Sequence, residues 1–154
     1  LIPDLKEMLD DFEQALEVKR TWYAWAVGRP QAKQSTRFTG RRTFTTSQKK
    51  DYVQGLIDDL KANLHSQEIS GCLRVTAIYC FPWRKKDDQS VGWELMPQRP
   101  DADNLTKPLF DALGLACDFD DSIVVELRAR KIRYVVPCIA VCVEEVTRKN
   151  LQKS

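Results

Sequence analysis

Between residues 47 and 82 the apolar residues change period, and that change constrains the fold more than any other feature of the chain. Tyr52, Val53, Leu56, Ile57, Leu60 and Leu64 recur at helical spacing behind an N-cap at Thr46 or Ser47, which predicts an amphipathic helix. After Gly71 the run Cys72 to Phe81 is rich in β-branched and aromatic residues and is stopped by Pro82, which predicts a strand. A helix with one apolar stripe followed by an apolar strand requires a layered domain in which the two cover each other.

The same reading extends to both ends. Leu5, Met8, Leu9, Phe12 and Leu16 predict a helix over residues 3 to 19 with an acidic, solvated face. Trp22 to Val27, bounded by Gly28 and Pro30, suits a strand. Residues 28 to 46 read as a long loop or irregular hairpin, and residues 83 to 100 as a polar surface excursion. Leu105, Leu109, Ala112 and Leu113 predict a third helix. Pro108 restricts where that helix can begin and biases Lys107 away from helical angles, so Asp101 to Thr106 is expected to be a loop or tight turn. Ile123 to Leu127 and Ile132 to Val136 are β-like, Pro137 interrupts, and Cys138 to Val146 is a last strand. The order α-β-α-β-α-β-β predicts an α+β fold, a mixed sheet of about four strands with helices packed on it. A chain of 154 residues is expected to form one such domain.

Composition removes several function classes. No apolar run is long enough to cross a bilayer, and the N-terminal stretch is acidic and amphipathic, unlike a signal peptide, so the expected location is the cytoplasm. Five cysteines, an odd number with no Cys-x-x-Cys pair, argue against a disulfide framework and a zinc knuckle and for free thiols. The single histidine, His65, lies near the end of the second helix, away from every acid cluster. Nucleophilic triads and histidine-relay nucleases are therefore poor fits.

Net charge is only +2, but residues 1 to 20 hold six acids against three bases, leaving 21 bases against 16 acids in the remainder. Arg29, Lys33, Arg37, Arg41, Arg42, Lys49 and Lys50 spread through the loop into the start of the second helix, where they are candidates for DNA phosphate contacts. A solvated basic face is the plain alternative. Lys49 and Lys50 fall in the first turn of a helix, where the macrodipole disfavours cations and a phosphate would resolve the conflict. Phe38, Phe44, Trp83 and Trp93 suit either stacking on bases at a branch point or packing in a core or interface.

The densest group of chemical side chains is Arg99-Pro100-Asp101-Ala102-Asp103-Asn104-Leu105-Thr106-Lys107, followed by Asp111 and by Asp118-Phe119-Asp120-Asp121. In an extended segment Asp101 and Asp103 would face the same way. Carboxylates so close repel one another unless a cation compensates, and an all-oxygen set is what Mg²⁺ or Mn²⁺ takes. Asp101 and Asp103 are equally able to cap the helix that follows, and Lys107 could serve Asp111 as a salt-bridge partner. The pair Asp120-Asp121, just before a strand, adds acids from a second segment. A metal-activated water suits such a set better than any side-chain nucleophile here.

Pro100-Asp101-x-Asp103-Asn104-Leu105-x-Lys107, Asp111-Ala112-Leu113 and Asp120-Asp121-Ser122 together resemble the RusA family of Holliday-junction resolvases. The likeness extends to Lys131, more loosely to the Gly28 to Lys33 loop and the Gly40 to Tyr52 stretch, and so over residues 22 to 146; the first helix lies outside it. It implies a homodimer that binds four-way DNA junctions and makes paired, symmetric nicks with Mg²⁺ in recombination or prophage metabolism. It further implies metal binding by Asp101, Asp103 and Asp121, a catalytic cation at Lys107, support from Asp120, Asp111 and Asn104, and DNA contact by Lys131. A branched-DNA-binding protein that does not cut, and a metal-dependent flap or fork nuclease, are the alternatives that the same residues allow.

Overall fold

In the computed structural model the described residues are 4–32, 37–39, 42–44, 47–64 and 69–149; for 37–39, 42–44, 47–50 and 64 the backbone alone is described. The elements in chain order are α1 (Leu5–Ala15), β1 (Leu16–Val27), β2 (Arg37–Thr39), β3 (Arg42–Phe44), α2 (Ser47–Leu64), β4 (Cys72–Phe81), β5 (Glu94–Leu95), α3 (Ala102–Cys117), β6 (Val124–Arg133) and β7 (Cys138–Arg148). Five strands form one mixed sheet in the order β1-β7-β4-β6-β5, and β2 pairs with β3 as a separate hairpin. Only β4 and β6 run parallel, and the chain crosses between them through α3. Parallel neighbours need such a crossover, since a tight turn cannot join them.

The core lies between this sheet and α2 with α3. Leu73, Val75, Ala77, Tyr79 and Phe81 alternate along β4 with no exposed surface, and Leu60, Leu105, Leu109, Ala112 and Leu113 meet them with none either. The Tyr79 phenol is hydrogen-bonded within that layer. The Thr106 hydroxyl donates to the Ala102 carbonyl at 2.7 Å, so in the 2.9 Å contact between the two hydroxyls Tyr79 donates to Thr106. Burial pushes the Tyr79 phenol up to about 12 and keeps it a donor. This bond ties the first turns of α3 to the centre of the sheet. Tyr79→Phe is expected to cost about 1 kcal/mol, read as a fall of about 2–4 °C in the thermal midpoint.

Three expectations are corrected. The first helix stops at Ala15, and Leu16 to Lys19 belong to β1, because Leu16, Glu17 and Val18 pair with Arg148, Thr147 and Val146 of β7. The turn expected over Asp101 to Thr106 is helix: α3 begins at Ala102 and runs through Pro108. Proline costs that helix one backbone hydrogen bond, to the Asn104 carbonyl, and some steric strain. Complete burial of Leu105 on one side and Leu109, Ala112 and Leu113 on the other outweighs it. Finally, the two strands expected at 123–127 and 132–136 are one: β6 runs Val124–Arg133 through the residues between them, and 134–136 lie outside it. The fifth strand, β5, is two residues long and comes from the excursion before α3. All five cysteines are free, Cys80 buried and Cys72 exposed.

Candidate functional site

Because α3 runs back between two parallel strands, its N-terminus stands at the carboxyl ends of both β4 and β6. That is where open parallel sheets leave a crevice for ligands. Asp103, Thr106, Lys107, Phe110 and Asp111 follow one another at i, i+3, i+4, i+7 and i+8, so they form a single face of α3. That face lines a groove of about 320 Å³ completed by Asp121 and by Leu127 of β6. Asp103, Lys107 and Asp111 are exposed along it, alternating in sign one helical turn apart. Among the described residues no carboxylate forms an ion pair with Lys107, so its ammonium is not consumed by Asp111.

Asp101 occupies the N-cap position of α3, yet its side chain makes no cap hydrogen bond. Its carbonyl accepts from Leu105 N at 3.1 Å, leaving the exposed carboxylate free for another partner. Asp120 does act as a cap. Its Oδ1 accepts from Ser122 N at 2.8 Å, and that bond with one from the Ser122 hydroxyl holds the carboxyl below its ordinary range. Asp121 is then the member of the pair that lines the groove. Asp118, in the left-handed conformation at φ 54°, ends α3 and turns the chain back toward it. Gly114 makes room for the return. A Cβ there would lie 3.3 Å from the Phe119 carbonyl and 3.8 Å from Asp121 Oδ1.

These acids do not meet at one point. Asp121 sits beside Gly114, eleven residues beyond Asp103, and at 1.5 Å per residue that is about 16 Å of helix axis. Among the described residues no three acidic, histidine or cysteine side chains come close enough to hold one ion together. Asp103 therefore marks one end of the groove, with Asp101 just before it at the start of α3, and Asp121 with Asp111 marks the other. Asn104 is half-buried on α3.

Lys131 points under the loop that leads into α3, where its Nζ donates to Gln98 O at 2.6 Å and Pro100 O at 2.9 Å. It thereby fixes the carbonyl next to Asp101. Arg29 follows Gly28, whose φ of 121° favours glycine, and its guanidinium lies 5.9 Å from the centroid of the Phe81 ring. Arg37 and Arg42 are on the β2–β3 hairpin and Lys49 and Lys50 open α2, with side chains outside the description. Lys33, Arg41 and His65 lie outside the described residues. Of the four aromatics, Trp83 is half-buried and Trp93 exposed. Reading the sequence missed Gly114 and Thr106. An isolated glycine inside a helical pattern is a signal that could have found the first.

An acid-lined groove carrying a free lysine, opening at the carboxyl ends of parallel strands on an α+β scaffold, suits an enzyme that handles phosphate esters. The family model for endodeoxyribonuclease RusA matches residues 26–144, and the chain belongs to that family. Among curated proteins none matches. No helix of the described residues is long and apolar enough to cross a membrane.

Proposed function

We propose that this chain is a Mg²⁺-dependent endodeoxyribonuclease that resolves four-way DNA junctions as a homodimer, by paired symmetric nicks. The observation that carries the reading is the free Asp101 carboxylate at the N-cap of α3, two residues before Asp103, which is itself one turn before Lys107. A cap residue that does not cap is available for a cation, and Mg²⁺ is normally held by one or two carboxylates, waters and substrate phosphate oxygens. Asp101 and Asp103 fit that demand. When bound, the ion supplies an acidified water and neutralises charge on the phosphate. Lys107, unpaired and one turn along, meets negative charge that develops on the phosphate oxygens. The helix N-terminus adds its own partial positive charge at the same end.

Asp121 is beyond the reach of an ion held by Asp101 and Asp103 of its own chain. A two-fold dimer in which two α3 helices lie antiparallel brings the partner subunit's Asp121 to that ion instead. The sheet offers an edge for such a dimer, since on the side of β6 away from β4 the strand β5 covers only Ile132 and Arg133, and among the described strands none pairs with Val124 to Arg130 on that side. Leu127 on that edge, which also lines the groove, keeps 43% of its surface exposed. A two-fold axis also suits two symmetric cuts. Incubated with a synthetic four-way junction, the protein is expected to give two symmetry-related nicks with Mg²⁺ and none in EDTA. Cutting confined to flaps or forks would favour the flap-nuclease alternative, and binding with no cut under any metal would favour the non-cleaving one.

A further inference from the structure

Among the described residues no carboxylate forms an ion pair with the buried cation Arg133. Only 7% of its surface is exposed, and its NH1 donates to Pro82 O at 3.0 Å and its NH2 to Gln98 Oε1 at 3.4 Å, both neutral acceptors. Its Nε is buried with no partner. In the β4–β6 ladder Arg133 is the register partner of Phe81, the residue over whose ring the Arg29 guanidinium sits. Arg84 stands at the same strand end, but Asp87 already neutralises it through a 2.9 Å ion pair. Burial, with the neighbouring Arg84 and Arg29 charges, pulls the Arg133 pKa below its ordinary value even though Asp87 pulls the other way. Arg29 over the Phe81 ring and Arg133 beside Phe81 in the ladder, with no carboxylate paired to either among the described residues, leave positive charge that an anion would offset.

We propose that Arg29 and Arg133 form a binding site for a DNA backbone phosphate, distinct from the acid-lined groove and adjoining its Asp101 end. The assignment of DNA as the source rests on the nuclease reading; the anion site itself does not. Gln98 links the two places, since its side chain accepts from Arg133 while its carbonyl accepts from Lys131, which also holds Pro100. A phosphate seated on Arg133 thus sits against the segment that positions Asp101. Arginine suits the task because its planar fork matches two phosphate oxygens at once.

Two arms separate free phosphate from DNA. In the first, thermal midpoints are compared in inorganic phosphate and in chloride at equal ionic strength. The wild type should melt higher in phosphate, Arg29→Gln and Arg133→Gln should lose that gain, and Arg148→Gln, at the opposite end of the sheet, should keep it. In chloride Arg133→Gln should melt no lower than the wild type, because it removes an uncompensated buried charge. A lower midpoint with the phosphate gain intact would make Arg133 a structural clamp only, and no gain in the wild type would remove the site. In the second arm, binding to a four-way junction and to a linear duplex is measured in EDTA across salt. Arg29→Gln should weaken both alike and reduce the salt slope by about one. Unchanged DNA binding with a lost phosphate gain would assign the site to free phosphate and overturn the DNA reading, whatever the outcome of cleavage assays.

Discussion

Asp101→Asn and Asp103→Asn should each abolish cleavage of a four-way junction while leaving its binding in EDTA equal or tighter. Each change keeps the shape of the side chain and removes one charged oxygen from the end of the groove. Residues one layer removed from a metal typically cost 10–100-fold when mutated, so loss of a direct ligand should cost more than about a hundredfold in rate. Without metal the same carboxylates repel the DNA backbone, and neutralising one relieves that repulsion. Stability should hardly move. Asparagine caps a helix as well as aspartate does, and the Asp101 side chain makes no cap bond to lose. Asp103 lies in the first turn, where an acid contributes about 0.3–1 kcal/mol through the macrodipole. Variants that melt several degrees lower and still cut would return both aspartates to a capping role.

The second large effect concerns two inactive proteins that become active when mixed. Asp103→Asn and Asp121→Asn homodimers should each fail to cut. If each metal site takes Asp101 and Asp103 from one chain and the partner subunit's Asp121, a mixed dimer has one site with both defects and one with none. Random subunit exchange makes half of the dimers mixed, so about a quarter of the wild-type sites should return. They should appear as single nicks, because the other site of each mixed dimer is dead. Were all three aspartates to act within one chain, every site in the mixture would carry one defect and mixing would recover nothing.

That arrangement shows where the sequence was legible and where it was not. The α2 stripe and the β4 run could be read because period and punctuation are local properties, and the Asp-x-Asp pair because two acids so close demand an explanation. The separation of Asp121 from Asp103 could not be read, since it depends on where α3 begins. With a turn over residues 101–106 the acids could fold together, but with helix from Ala102 to Cys117 they stand apart. Pro108 argued for the turn, and only burial of the residues around it, which local pattern does not report, settles the matter. Leu16 misled in the same way, since it fits the α1 stripe and is claimed by a strand distant in sequence. Nothing local in the sequence marks Arg133 as covered, since its burial depends on what packs over the end of β6.

The open edge of β6 carries more than hydrogen-bonding groups. Glu126, Leu127 and Arg128 follow one another along it, and Glu126 with Arg128 already forms a 3.0 Å ion pair within the chain. Two such edges laid antiparallel with Leu127 on the two-fold axis set Glu126 against the partner's Arg128, and the reverse. Sliding them so that Arg128 falls on the axis instead opposes two like charges, which is destabilising for residues directly across a ladder. Under the two-fold rotation about Leu127 the order Glu-Leu-Arg meets Arg-Leu-Glu, so each charge faces its opposite. In such a dimer these three residues act as an address that names this strand as its own complement and fixes the alignment at which two copies meet.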